Sequence, residues 1–332
     1  MPQHKLVVSQ MGLEATAGTL VPATFKHKGN ASLKIDDVIA TPEFDYATGI
    51  IGGNVEGAHI AETGSTLTWE DADFTAEDMI WLGNMGIKSV VGAASSFAFT
   101  FPTTSANSIK TFTHELSTAT QEYEFGYGFC ESFNIHGDVA ADGGRIMYSA
   151  VHKGRNSAAS TLTASLGFLA NYHPLNINYA TVHFDTIGTA AGTAAATAAY
   201  LRAFSLEVKT GWTVPAARYA DGRSAKDFSV ATFTDYEITG TMRVKFGSQA
   251  VTHVASARAG TPAAMAIKCS GASSRVVQFD LPFVFTDTPS IGSGNEDGLH
   301  TVEFPFRVGY SRTTTAQGPA ITVTATASTT VT

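Results

Sequence analysis

Short runs in which apolar and polar residues alternate constrain this chain most strongly, because a period of two fits a half-buried β-strand and not a helix. Residues 30–39 place Leu33 and Ile35 on one face and Lys34 and Asp36 on the other. Similar runs recur at 64–69, 97–101, 123–135, 145–152, 175–184, 204–208, 236–246, 276–285 and 301–310. They are rich in Val, Ile, Thr and aromatic residues and bounded by Gly, Asp or Asn, so the pattern predicts a mainly β protein.

Two stretches depart from alternation. Over 75–86, Thr75 can cap a helix with Asp78 completing a variant capping box, and Glu77 and Asp78 face the positive end of the helix dipole. Gly86 is expected to close it in the left-handed conformation, with Met79, Ile80, Leu82 and Met85 covering one side of a sheet. A second helix is predicted over 249–259, closed by Gly260.

The chain of 332 residues is long enough for two domains or one large all-β unit. Only 15% of it is charged, against a usual figure of about 25%. With 21 Lys+Arg against 29 Asp+Glu, a formal charge of −8, it lacks the basic excess that drives phosphate binding. That argues against specific DNA binding and against an anionic membrane partner. Cys130 and Cys269 make neither a disulfide framework nor a four-cysteine metal site, which fits a reducing cell interior. No run approaches the roughly 18 apolar residues of a membrane span, and the apolar stretch in residues 1–10 is too short for a signal peptide, so folding in the cytoplasm is expected. The sequon Asn30-Ala31-Ser32 is accordingly read as coincidental.

Self-similarity is the most informative further pattern. Ser32-Leu33-Lys34-Ile35 recurs as Ser205-Leu206-Glu207-Val208, and Thr63-Gly64-Ser65 as Thr239-Gly240-Thr241. Each is followed by a helix ending at Gly86 or Gly260 and then by paired strands, 123–135 with 145–152 and 276–285 with 299–308. The offset is 173 from Leu33 to Leu206, 176 from Gly64 to Gly240 and 155 from Gly154 to Gly309, which places about twenty extra residues in the first half, within 90–108. The order predicts two tandem β-sandwich domains, each with one flanking α-helix: an amino-terminal arm at 1–29, a first domain at 30–185, a small-residue linker at 186–199 and a second domain at 200–332.

Catalytic patterns do not emerge. The chain has no Gly-x-Ser-x-Gly elbow, phosphate loop, His-Glu-x-x-His or closely spaced Cys/His set. Gly292, Gly294 and Gly298 read as a hairpin turn, and Thr113-His114-Glu115 as a strand edge. His136 and His152 flank one hairpin and could approach each other; Trp69, Trp81 and Trp212 read as core. The expectation is a non-enzyme with no catalytic residues, no metal and no cofactor.

The order of motifs resembles the tail tube proteins of long-tailed, non-contractile bacteriophages. The residues that carry the resemblance are Gly12-Leu13-Glu14-Ala15-Thr16-Ala17-Gly18-Thr19-Leu20-Val21-Pro22, Ser32-Leu33-Lys34-Ile35, the passage Trp69-Glu70-Asp71-Ala72-Asp73-Phe74 into the helix, Ser132-Phe133-Asn134-Ile135-His136-Gly137 and the re-entry at Leu201 to Val208. The resemblance implies a structural virion protein whose rings stack into a tube around a channel that conducts double-stranded DNA during ejection. Its partners are then itself, the tape measure, tail terminator and distal tail proteins, and DNA that passes without specific binding; no membrane partner is implied.

Family members usually carry one tube domain per chain and six per ring, so a tandem copy implies a trimeric ring with pseudo-sixfold symmetry. Candidate ring-stacking contacts are Glu14, Gly18, Thr19, Pro22, Phe99, Phe101, Thr186 and Thr189. Candidate lumen carboxylates are Asp36, Glu62, Glu70, Glu124, Glu207 and Glu237. If the arm links rings, removing residues 1–29 is expected to spare folding and stop tube growth. The alternatives are a phage or cell-surface β-sandwich adhesion module, another structural virion component, or a β-sandwich hydrolase.

Overall fold

A computed structural model describes residues 7–40, 58–90, 95–118, 120–168, 173–189, 192–197, 200–215, 226–271, 274–289, 294–296, 299–311 and 317–325. Met1 to Leu6, parts of the 186–199 tract and of the turn at 292–298, and the tail after 325 lie outside the described residues. In chain order the first elements are β1 (Val8–Leu13), β2 (Phe25–Lys26), β3 (Ala31–Ile35), β4 (Val38–Ala40), β5 (His59–Glu62), β6 (Ser65–Asp73), α1 (Ala76–Gly86), β7 (Ser96–Thr100), β8 (Phe112–Ser117), β9 (Glu122–Asp138), β10 (Ile146–Gly154) and β11 (Ala158–Ala159). The remainder are β12 (Thr181–Asp185), β13 (Leu201–Lys209), β14 (Trp212–Thr213), β15 (Thr232–Phe233), β16 (Glu237–Lys245), α2 (Ser248–Ala259), β17 (Ala263–Ser270), β18 (Val276–Phe285), β19 (Gly294–Glu296), β20 (Leu299–Val308) and β21 (Ala320–Thr324). The protein is mainly β, as the alternation predicts, and every strand pair among the described residues is antiparallel.

Two pairing runs follow the same order. The first is β1–β8–β9–β10–β6–β3. The second is β12–β17–β18–β20–β16–β13. A helix leaves β6 in the first run and β16 in the second. Registers also correspond: Leu33 pairs with Leu67, and 173 residues on (206 less 33, 240 less 67) Leu206 pairs with Gly240. The offset of 176 read from Gly64 and Gly240 is thus corrected, since pairing aligns Gly240 with Leu67. β12 stands in the second run where β1 stands in the first, so residues 181–185, read as the end of the first domain, pair instead with β17.

Residues 8–26, read as part of an arm, are built into the sheet. β1 pairs with β2 and β8, and Met11 and Phe25 are buried in the core. The insertion expected within 90–108 contains β7, which pairs with β21, itself paired with β18. A segment of the first half thereby extends the sheet of the second.

Helix α1 starts as its sequence dictates. Thr75 Oγ1 accepts from Asp78 N at 3.1 Å, while the Asp78 carboxylate accepts from Thr75 N at 3.0 Å. Its end differs from the expectation: the cap is Ile87 in a right-handed conformation. Gly86 is instead required by packing, because a Cβ there would meet Thr210 Cγ2 at 2.6 Å and Cys130 O at 3.1 Å. Every residue of α1 is buried, not one face alone, because β7, β18 and β21 close over it in addition to β9. Helix α2 ends at Gly260 with φ 59°, as expected, but buries only Ala250 and His253.

Candidate assembly interface

The two runs meet strand to strand. β13 lies antiparallel on the second half of β9 through seven residue pairs, from Ala203 opposite Asp138 to Lys209 opposite Ser132. Thr210 Oγ1 donates to Cys130 O at 2.8 Å, Val139 N to Arg202 O at 2.9 Å, and the Arg243 guanidinium pairs with the Asp138 carboxylate. β9 is long enough to hold β8 and β11 along its first half and β10 and β13 along its second. Phe133 and Ile135 turn inward to meet Phe204, Leu206 and Val208 in one core.

Beside this seam the β14–β15 pair and residues 226–231, which lead into β15, seat on β9. Trp212, Phe228 and Ala231 pack against Tyr127 and Phe129 in a separate apolar cluster. The Arg155 guanidinium lies 4.5 Å over the Tyr127 ring and donates to Phe228 O at 2.9 Å and Ser229 O. The first half thus presents an apolar seat, and a hairpin of the second half fills it.

The first half carries the corresponding hairpin, β4–β5, in which Ile39 pairs with Ile60 as Trp212 pairs with Phe233. Its apolar side chains are bare: Ile39 is 64% exposed, Val38 50% and Ile60 43%. The neighbouring strand β3 pairs only with β6 among the described residues, leaving its other edge open, with Ile35 47% exposed.

From β3 through β6, β10, β9, β13 and β16 to β20 the outward side chains form a mostly polar face of hydroxyls, amides and charges, interrupted by Met147, Val151 and Pro305. Cross-strand neighbours on it include Ser205 with His136 and Thr241, Glu207 with Asn134 and Thr239, and Thr239 with Arg307. Of the candidate lumen carboxylates, Asp36, Glu70, Glu207 and Glu237 belong to this face. Glu62 lies on the β4–β5 hairpin and Glu124 on the first half of β9 opposite Glu115, so neither does.

Two of the four are ion-paired. Burial raises the Asp36 pKa, but hydrogen bonds from Lys34 and Thr66 and the charge of Lys153 more than offset it, leaving the group below its ordinary value. Glu237, held 2.9 Å from Lys209 with Arg307 at 3.9 Å, is lowered chiefly by the Lys209 hydrogen bond. The face is therefore closer to charge balance than an acidic lumen requires.

The candidate stacking residues divide. Glu14 is buried, and its carboxylate accepts four hydrogen bonds, from Gly18 N at 2.6 Å, Tyr127 N at 2.8 Å, Thr111 Oγ1 at 2.6 Å and Thr113 Oγ1 at 3.2 Å. That carboxylate fixes the turn holding Gly18 and has no capacity left for a neighbouring ring. Phe99 and Phe101 are also buried, Phe99 against the surface of α1 at Gly83, because β7 closes over the helix. Thr19, Pro22, Thr186 and Thr189 are exposed. Thr186 and Thr189 form a turn tied to Gln317, whose Nε2 donates to Thr189 O at 3.0 Å. Residues 192–194 are no free linker either: Asp185 accepts from Gly192 N, Thr193 Oγ1 and Ala194 N at 2.7–2.9 Å.

Thr113-His114-Glu115 lies inside the sheet between β1 and β9, not at an edge. Glu115 accepts from Gln10 Nε2, Ala23 N and Thr163 N, a structural anchor that spacing alone does not reveal. His136 and His152 point to opposite faces of the sheet. His152 joins His114 and His27 around Trp69, with ring centroids 5.1 Å apart for His114 and His152 and 4.3 Å apart for His27 and Trp69. Burial lowers His27 and His114 to about 3 and His152 well below its ordinary value. No set of three or more His, Cys, Asp or Glu among the described residues is placed to hold a metal ion. No helix is long and apolar enough to cross a membrane among the described residues. No family model matches the chain, and no curated protein matches its sequence.

Proposed function

We propose that the two pairing runs are copies of one β-sandwich domain, and that the chain is a structural protein which closes into rings and stacks them into a phage tail tube. The observation that carries this reading is the β9–β13 seam. It joins two units of the same strand order edge to edge and leaves β3, the counterpart of β13, at the far end with one edge unpaired among the described residues. An edge strand left unpaired invites another chain, and closing the sheet into a barrel removes the hazard. Two units per chain and six per ring give a trimer with pseudo-sixfold symmetry.

In this reading the polar face lines the channel. Its paired charges and hydroxyls offer passing DNA neither a cationic row to bind nor a strong repulsive field. The tube would engage the tape measure, tail terminator and distal tail proteins at its ends, within the virion tail. Negative-stain microscopy of the purified protein tests the reading. Hollow tubes are expected, and a chain that stays monomeric at high concentration overturns it.

A further inference from the structure

The second half has a seat like the one filled by the β14–β15 hairpin, and it is empty. A groove of about 490 Å³ is lined by Pro282, Val284, Val308, Tyr310 and Ile187. Its position is set by register. Lys153 pairs with Thr66 in the first run and Arg307 with Thr239, 173 residues on from Thr66, in the second, so Lys153 and Arg307 correspond. Lys153 also pairs with Phe129 and Arg307 with Val284, so Phe129 corresponds to Val284 and Tyr127, two residues before, to Pro282. By the same strand correspondence Ala15, beside the first seat, matches Ile187 beside the second.

The hairpin that corresponds to β14–β15 is β4–β5, at an offset of 173 residues for both paired positions (212 less 39, 233 less 60). It belongs to the first half of the same chain, beside β3 at the end of the first run; its backbone meets Lys226, which donates from Nζ to Ile60 O and accepts at its carbonyl from Thr63 N, while the side chains of Val38, Ile39 and Ile60 stay exposed. Ile39, Val38 and Ile60 are therefore an unfilled apolar knob at one end of the molecule, and the groove an unfilled apolar hole at the other.

We infer that the β4–β5 hairpin of one chain inserts into the Pro282–Val284 groove of a second copy of this chain, with the open edge of β3 alongside, repeating between molecules the contact that β14–β15 and β13 make within one. This rests on the ring reading and names its interface. The occupant is a second copy and not a foreign protein because the template for the contact is internal: a hairpin at the same register on a seat at the same register. The helices are consistent with it. α1 is closed over by β18 and β21 of the second half, whereas α2, its counterpart, leaves Val251 55% exposed.

Cross-linking tests the contact. Continuing the antiparallel β13–β9 register places Trp212 opposite Phe129, so Ile39 of one copy should face Val284 of the next. The I39C/V284C double variant, treated with a short bismaleimide, should give covalent products ending at three chains, and either single variant none. The native Cys130 and Cys269 are buried and do not compete. A companion variant, I39D/I60D, changes only exposed side chains. It should keep the circular dichroism of the parent while association weakens about a hundredfold or more, the loss expected from two unburied isoleucines. Tubes that form without the Ile39–Val284 cross-link overturn the interface and leave the tube reading standing. Cross-linked trimers that never stack into tubes support the interface and overturn the tube reading. A companion variant that associates normally also overturns the interface.

Discussion

Arg275 and Glu77 offer the sharpest test of how the two halves are held. Arg275 Nε lies 2.7 Å from Glu77 Oε1, and the side chains are 3% and 8% exposed. The pair ties the first turn of α1 to the chain entering β18. At that distance and an effective dielectric constant of about 20 the attraction is roughly 6 kcal/mol. Desolvating each ion costs several kcal/mol, so the net worth of the intact pair is small. Removing one partner is different, because the other charge stays buried and uncompensated. Arg275→Met should therefore destabilise by about 3–5 kcal/mol, while the double variant Arg275→Met, Glu77→Met should recover most of that loss. Urea unfolding followed by tryptophan fluorescence measures both, with Trp81 inside α1 as a local reporter. A single variant within about 1 kcal/mol of the parent, or a double variant no better than the single, would refute the claim that this pair is buried and dry.

The core sets further outcomes. His27, His114, His152 and His253 have folded pKa values depressed by burial, so the unfolded chain takes up protons below about pH 6.5 that the folded chain refuses. Asp78, raised to about 7 by burial, acts oppositely and holds its proton in the folded state as pH falls. The net of about three protons means stability present above pH 6.5 is lost toward pH 4 at up to about 4 kcal/mol per pH unit. Melting temperatures across that window check the sign. Thr75→Ala removes the α1 cap and should cost about 0.5–2 kcal/mol in urea titrations. Deleting residues 1–29 should unfold the first half instead of merely stopping assembly, since Met11 and Phe25 leave with it; a well-folded truncation by near-ultraviolet circular dichroism would contradict the placement of β1. Cys130 and Cys269, buried with pKa values pushed up by desolvation, should resist thiol reagents until the protein unfolds.

Local chemistry was legible in the sequence wherever a few adjacent residues decide the outcome. Alternation marks the long strands, Thr75 and Asp78 mark the start of α1, and Gly260 marks the end of α2. What sequence did not show is set by partners far along the chain. β12 reads as the end of the first half, but its ladder partner is β17. Phe99 and Phe101, on a run that reads as a strand, look like exposed stacking contacts until β7 finds β21, more than two hundred residues away, and closes over α1. Glu14 and Glu115 look like surface charges because nothing local reveals that distant backbone N–H groups converge on them. The match proposed between the β4–β5 hairpin and the Pro282–Val284 groove is visible only once registers can be compared, because their apolar side chains are individually ordinary.

The β9–β13 seam also bears on how assembly would begin. Because its two strands belong to one chain, this contact forms during folding at a rate independent of protein concentration. In the proposed ring every second seam is of this kind, so collisions between molecules need supply only the alternate ones. Ring closure is then of third order in units that already contain half the contacts, where separate single-domain subunits would need six. The covalent connection shortens the nucleus, and growth should begin at protein concentrations too dilute for the two halves expressed apart.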